Sequence, residues 1–176
     1  MLNKFLVLFI SGLISCLAHS EVFTSIGENN VFEREAYATQ YANRTPLAVR
    51  LGYQVYADAI FAEYNQFHSS DGVSQLQIFR THHELLVWAR HSFWSEQTLQ
   101  LYVQAAPGIQ LEHIDTNFMS ASQSDTSKPY VAFATAVGAA IQIEKFRFEL
   151  ELRGLASQNA APNPTLSVGF YGGYLF

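Results

Sequence analysis

From Leu47 to Phe176 apolar side chains recur at every second position in one segment after another. That is the period of a strand with one greasy face, not the 3.6-residue period of a helix. The cleanest case starts at Leu99. Leu99, Leu101, Val103, Ala105, Ile109 and Leu111 share one face, and Gln100, Tyr102, Gln104, Ala106, Gly108, Gln110 and Glu112 share the other. Phe146, Phe148, Leu150 and Leu152 likewise oppose Arg147, Glu149, Glu151 and Arg153, and Val131 to Ile143 opposes a row of Ala, Gly and Gln that leaves room for neighbouring side chains. Leu47 to Val55, Ile60 to Tyr64 and Leu85 to Phe93 repeat the pattern, the last blurred by Leu86 and Trp88. In the final segment Leu166, Val168, Phe170, Gly172, Tyr174 and Phe176 face one way and Ser167, Gly169, Tyr171, Gly173 and Leu175 the other. The pattern predicts seven strands and an all-β fold.

The connections alternate in length. Tyr56 to Asp58, Phe93 to Gln97 and Ile143 to Lys145 are tight, whereas His68 to Gln75, Ile114 to Lys128 and Ser157 to Pro164 read as longer loops rich in Ser, Asn, Asp, Gly or Pro. If the chain meanders, the tight turns all fall at the end where Phe176 lies. An even strand count then requires an eighth strand ahead of Leu47. Residues 31–42 are the candidate, although Phe32 to Tyr41 reads equally as an amphipathic helix, and 21–30 become a segment preceding the barrel.

Composition narrows the reading. Aromatic residues make up 14% and charged residues 14% of the chain, with six histidines and a net charge of −5, so the basic stripe that nucleic acid requires is absent. The charges on the polar faces cancel, six against six: Arg50, Arg80, Arg90, Lys145, Arg147 and Arg153 stand against Glu63, Glu84, Glu112, Glu144, Glu149 and Glu151. A narrow enclosed lumen demands such balance, because a buried charge without a partner costs several kcal/mol. The expected lumen network is Arg50, Glu63, Arg80, His82, Glu84, Arg90, Glu112, Arg147, Glu149, Glu151 and Arg153, with His82 and Glu84 as a hydrogen-bonding pair. His83 and His91 fall on the apolar face, near its two edges. Reversing inside and outside gives the soluble alternative, a secreted lipocalin-like barrel with an apolar interior.

The first twenty residues read as a secretory signal: Lys4, the apolar stretch Phe5 to Ile14, and Ala18-His-Ser20 before Glu21. Leu13-Ile-Ser-Cys16 competes as a lipoprotein signal that would make Cys16 a lipidation site. Cys16 is the only cysteine, so an internal disulfide and a cysteine metal cluster are excluded, and no cofactor is expected.

The terminal strand resembles that of bacterial outer-membrane barrels, in which a final Phe with an aromatic two residues earlier is the signal read by the barrel-assembly machinery. Here Phe170, Tyr174 and Phe176 carry it. With the alternation and the loop asymmetry, the chain resembles the small eight-stranded outer-membrane proteins of the OmpA transmembrane-domain and OmpX type. That resemblance implies an antiparallel up-and-down transmembrane barrel over 31–176 in a Gram-negative outer membrane, bathed in lipid and lipopolysaccharide. It also implies a structural, adhesive or binding role through the outer loops, chiefly 115–128, and a lumen closed by side chains. A thin water path past the small residues Ala132 to Ala140 keeps a narrow channel open as an alternative. A different class, the lipid A deacylase and palmitoyltransferase barrels, places His, Ser and an acid near the outer rim. His68, Ser70, Asp71 and His113 are the corresponding candidates here. Ser and Asp so close in a loop ordinarily serve turn geometry, and the penultimate strand reads Gly154-Leu-Ala-Ser-Gln158 in place of the deacylase His-x-Ser-Asn, so no catalytic residue is assigned.

Overall fold

Long alternating segments joined by short turns leave each strand two edges to satisfy, and a sheet that curls until its first and last strands meet leaves none. The computed structural model, which describes residues 21–32, 44–73, 76–94, 98–118, 121–158 and 165–176, takes that solution. Its elements are β1 (Glu21–Phe32), β2 (Arg44–Val55), β3 (Asp58–Val73), β4 (Leu76–Phe93), β5 (Leu99–Phe118), β6 (Ala121–Thr126), β7 (Tyr130–Ile143), β8 (Phe146–Ser157) and β9 (Thr165–Leu175). All pairings are antiparallel, in the order β1-β2-β3-β4-β5-β7-β8-β9, and β9 returns to β1 to close an eight-stranded barrel. The ninth strand, β6, pairs with the upper part of β5 and is the outward continuation of β7.

The register fixes the stagger of the closure. Following cross-strand partners from Val22 leads through Tyr53, Ile60, Ala89, Ala105, Thr135, Gly154 and Leu166 back to β1 at Phe32, ten residues above the start. A stagger of that size tilts the strands of an eight-stranded barrel by ~35–45° from its axis.

The two faces separate by polarity in the sense opposite to a soluble protein. On β2, Leu51 is 61% exposed while its neighbour Arg50 is 0% exposed; on β3 the corresponding values are 65% for Ile60 and 0% for Glu63. The exposed band continues around the barrel through Val87, Leu101, Val137, Leu152 and Phe170. This removes the lipocalin-like alternative, whose apolar residues would line the interior. At the end carrying the tight turns the band is edged by Tyr53, Tyr56, Phe93, Trp94, Phe146 and Phe176, all exposed. Phe146, Tyr174 and Phe176 stack edge to face at centroid distances of 5.3 and 5.1 Å.

Inside, three large rings sit directly across the ladder from glycine: Phe61 opposite Gly52, Tyr102 opposite Gly138 and Tyr171 opposite Gly27. The rings of Tyr102 and Tyr171 occupy the space that a Cβ would take at Gly138 and Gly27. This is the room that the small residues of the predicted 131–143 strand were expected to leave.

Three expectations are corrected. The first barrel strand is Glu21–Phe32, which pairs with both β2 and β9, so 21–30 belongs to the wall and does not precede it. Its alternation is broken by the polar run Gly27-Glu-Asn-Asn30, which hid it; of the expected strand at 31–42, residues 33–42 lie outside the described residues. His68 to Gln75 and Ile114 to Lys128 are not loops for most of their length: β3 and β4 stay paired up to Val73 and Leu76, and β5 and β6 up to Phe118 and Ala121. Ser, Thr, Asp and Gln disguised these strands, and in β6 all six residues are exposed, so no apolar face marks it. The expected signal sequence and Cys16 lie outside the described residues.

Candidate functional site

Within the wall, the inward positions of β2, β3, β4 and β8 converge four arginines and four glutamates. Arg50 donates from Nε to Glu63 at 2.5 Å, from Nη1 to Glu149 at 2.8 Å and from Nη2 to Glu151 at 2.8 Å. Arg90 holds Glu149 through both terminal nitrogens, at 2.5 and 2.8 Å, and Gln104 through Nε at 2.8 Å. Arg153 donates to Glu63 at 2.5 Å and to Glu84. Arg147 lies 2.7 Å from Glu149 and donates to Gln54 at 2.7 Å. Contacts of this kind are charge-assisted and roughly twice as strong as neutral ones.

Uncharged side chains complete the shell. Asn65 donates to Glu63 at 2.6 Å and to Glu84 at 2.8 Å, Gln110 to Glu84 at 2.7 Å, and Gln104 to Glu151 at 2.9 Å. The Arg50 guanidinium lies 3.2 Å from the centroid of the Tyr171 ring, and Arg90 4.1 Å from that of Tyr102. Tyr171 donates in turn to Asn29 at 2.6 Å. The sequence reading singled out the ions and missed Asn29, Gln54, Asn65, Tyr102, Gln104, Gln110 and Tyr171. For all but Asn29, which lies in the unrecognised β1, the signal was present in the same inward parity as the charges.

Arg80, His82 and Glu112 lie higher, at the mouth, apart from this cluster. Arg80 is 3.8 Å and His82 3.6 Å from Glu112, and all three side chains are partly exposed. Glu84 takes its contacts from Asn65, Gln110 and Arg153.

Above the mouth, β3, β4, β5 and β6 continue as a four-stranded sheet that projects beyond the described ends of β8 and β9. β6 pairs with β5 alone among the described residues, and all six of its residues are exposed. One register row of this sheet reads His68, Thr81, His113, Thr126. His68 Nδ1 is 3.0 Å from Thr81 Oγ1 and His113 Nδ1 is 2.8 Å from Thr126 Oγ1. Thr81 therefore separates the two imidazoles considered for catalysis. At His113, Ser124 Oγ (3.2 Å) and Asp115 Oδ1 (3.3 Å) approach the same nitrogen, Nε2. A charge-relay arrangement needs the acid on the opposite nitrogen from the hydroxyl, so these groups do not form a triad. Ser70 and Asp71 stand in β3 opposite Phe79 and Ile78.

No family model matches the chain, and no curated protein matches it by sequence. Solved structures do. Neisserial surface protein A superposes with a TM-score of 0.62 at 9% identity, covering 90% of this chain and 97% of that one. The N-terminal β-barrel domain of Pseudomonas aeruginosa OprF gives 0.55 at 14% identity over 90% and 98%. Ail, the attachment invasion locus protein of Yersinia pestis, in complex with the heparin analogue sucrose octasulfate, gives 0.57 at 12% over 89% and 97%. In fold, the chain is a closed, antiparallel, eight-stranded barrel of the kind that small outer-membrane proteins adopt.

Proposed function

We propose that the chain spans the outer membrane of a Gram-negative bacterium as a barrel closed by its internal ion network, and that it works through the sheet projecting from its outer end. The supporting observation is the contrast between the two halves of β3, β4 and β5. In the wall their inward charges are engaged by one another and by buried amides and phenols. In the projection the described side chains of β4 and β5 are at least partly exposed on both surfaces, and β6 offers an unpaired edge among the described residues. Main-chain edges and exposed polar rows are the elements from which strand-addition and glycan contacts are made. An adhesive or ligand-binding role follows, in line with Ail, the attachment invasion locus protein whose structure holds the heparin analogue sucrose octasulfate. Conduction is disfavoured because eight strands enclose little more than their own side chains, and here those side chains are linked across the lumen.

The test replaces residues 114–125 by a two-residue turn. The shortened protein should still insert and keep its gel shift on boiling, while bacteria displaying it lose adherence to host cells or to immobilised sulfated glycan. Undiminished adherence would defeat the role given to the projection.

A further inference from the structure

The outward surface of the projection does not change character at random. Tyr64, Leu85, Ile109 and Val131 form the last apolar row of the barrel exterior, cross-strand partners on β3, β4, β5 and β7. The row above it holds Gln66, His83 and Leu111, and the next holds His68, Thr81, His113 and Thr126. Three of the six histidines of the chain thus share one surface, immediately above the apolar band. His83 is tied down to that band by Tyr64, whose Oη lies 2.7 Å from His83 Nδ1 with the two rings stacked at 6.1 Å.

The wall beneath presents apolar groups to lipid, so the occupant of these two rows is whatever carries the headgroup of that lipid. The donors available there are imidazoles, threonine hydroxyls and an amide, with the exposed Lys128 following Thr126 after a short break. Among the described residues no group of three His, Cys, Asp or Glu side chains is placed to hold a metal ion, and hydrogen bonding to an anionic group is a chemistry that imidazoles, hydroxyls and an amide can supply. We infer that His68, His83 and His113, with Gln66, Thr81 and Thr126, form a docking surface for the phosphorylated sugar headgroup of an outer-leaflet glycolipid, and that acid strengthens it. The inference rests on the outer-membrane reading proposed above.

The sign follows from imidazole chemistry. Histidine ordinarily gains its charge between about pH 8 and 5, and that added positive charge attracts phosphate even though Nδ1 is engaged on His68 by Thr81, on His83 by Tyr64 and on His113 by Thr126. Among the described residues the other charged groups near the surface are Asp115 beside His113, Asp125, which accepts from the Thr126 backbone N–H, the exposed Lys128, Arg44 opposite His68 in the register, and Arg80, His82 and Glu112 on the reverse face of the sheet. Asp115, 3.3 Å from His113 Nε2, opposes a phosphate at that ring, so His68 and His83 are the better-placed contacts.

The experiment uses the full barrel in detergent micelles, with lipid A and its dephosphorylated form as probes, and reads bound glycolipid by native mass spectrometry at pH 7.5 and 5.5. Retention of lipid A should rise about tenfold at the lower pH and fall with added salt, as exposed charge contacts do. The triple variant His68→Gln, His83→Gln, His113→Gln should lose that rise while keeping its gel shift on boiling. His91→Gln, on the same exterior but at the opposite edge of the apolar band, should keep it. A triple variant that still gains at pH 5.5, a dephosphorylated probe retained equally well, or a His91→Gln protein that loses the response would each overturn the assignment. A protein that shows no gel shift at all would instead defeat the barrel reading beneath it.

Discussion

The lower and upper halves of β3, β4 and β5 obey the same alternation and meet different fates. Below Glu84 their polar face is sealed inside the barrel, where Arg50, Arg90 and Arg153 hold glutamates from strands on the far side. Above it, the same face opens to water around Arg80, His82 and Glu112, where the ion contacts lengthen to 3.6 and 3.8 Å. Enclosure is what differs. Removing one partner of a buried ion pair strands its mate in a medium that cannot solvate it, whereas an exposed pair is replaced by water at little cost. The lumen is therefore the region in which single substitutions should register, and the projection the region that tolerates change.

The strongest test of that difference is Arg50→Leu, which deprives Glu63, Glu149 and Glu151 of a shared cation. Unfolding in urea from lipid vesicles should show a loss of ~3–5 kcal/mol, and a loss below about 1 kcal/mol would remove the lumen network as a source of stability. Gly138→Val comes next, because the added side chain meets the Tyr102 ring. Overpacking of this kind costs ~1–3 kcal/mol, and pairing it with Tyr102→Ala should recover part of the loss. Arg147→Ala should cost about 1–2 kcal/mol, less than Arg50, because Glu149 keeps Arg50 and Arg90. At the turns, Glu144 adopts a φ of 55°, so Glu144→Gly relieves ~1–2 kcal/mol of left-handed strain against the ~0.5–1 kcal/mol of extra chain entropy that glycine loses, a net stabilisation of about 1 kcal/mol or less in the same assay. Smallest of all, His113→Ala in the projection should leave the unfolding midpoint within about 0.5 kcal/mol of the parent. An effect there as large as that of Arg147 would erase the distinction between the halves.

Period-two alternation made most of the wall legible, since every second residue from Leu47 onward had to take the same face. Inside and outside were harder, because alternation is symmetric. The cancelling charges of Arg50, Glu63, Arg147, Glu149, Glu151 and Arg153 pointed to the correct face, and their zero or near-zero exposure now accounts for that cancellation. What failed to show was β1 and the projection. In β1 the run Gly27-Glu-Asn-Asn30 interrupts the apolar face, and its strand character comes from pairing to β2 and β9, contacts distant in sequence. In β6 no side chain is buried, so no apolar period exists to be read. The tight turns were legible from the short gaps between alternating segments, even though Tyr56 and Glu144 take left-handed φ values without glycine and the usual turn signature is absent. For the candidate site, the ions of the lumen were legible from parity. The exterior histidine rows were not, because they depend on the register that sets His68, Thr81 and His113 side by side.

The central claim is that an apolar exterior and an ionic interior make this chain a membrane-spanning barrel, and electrophoretic mobility tests it most directly. The outer-membrane fraction of cells expressing the protein is split, one half boiled in SDS and the other left unheated, and both are run on one gel. The account predicts a band in that fraction that migrates faster unheated and shifts to its full-length position on boiling. A protein found in the soluble periplasmic fraction, with the same mobility before and after boiling, would contradict it.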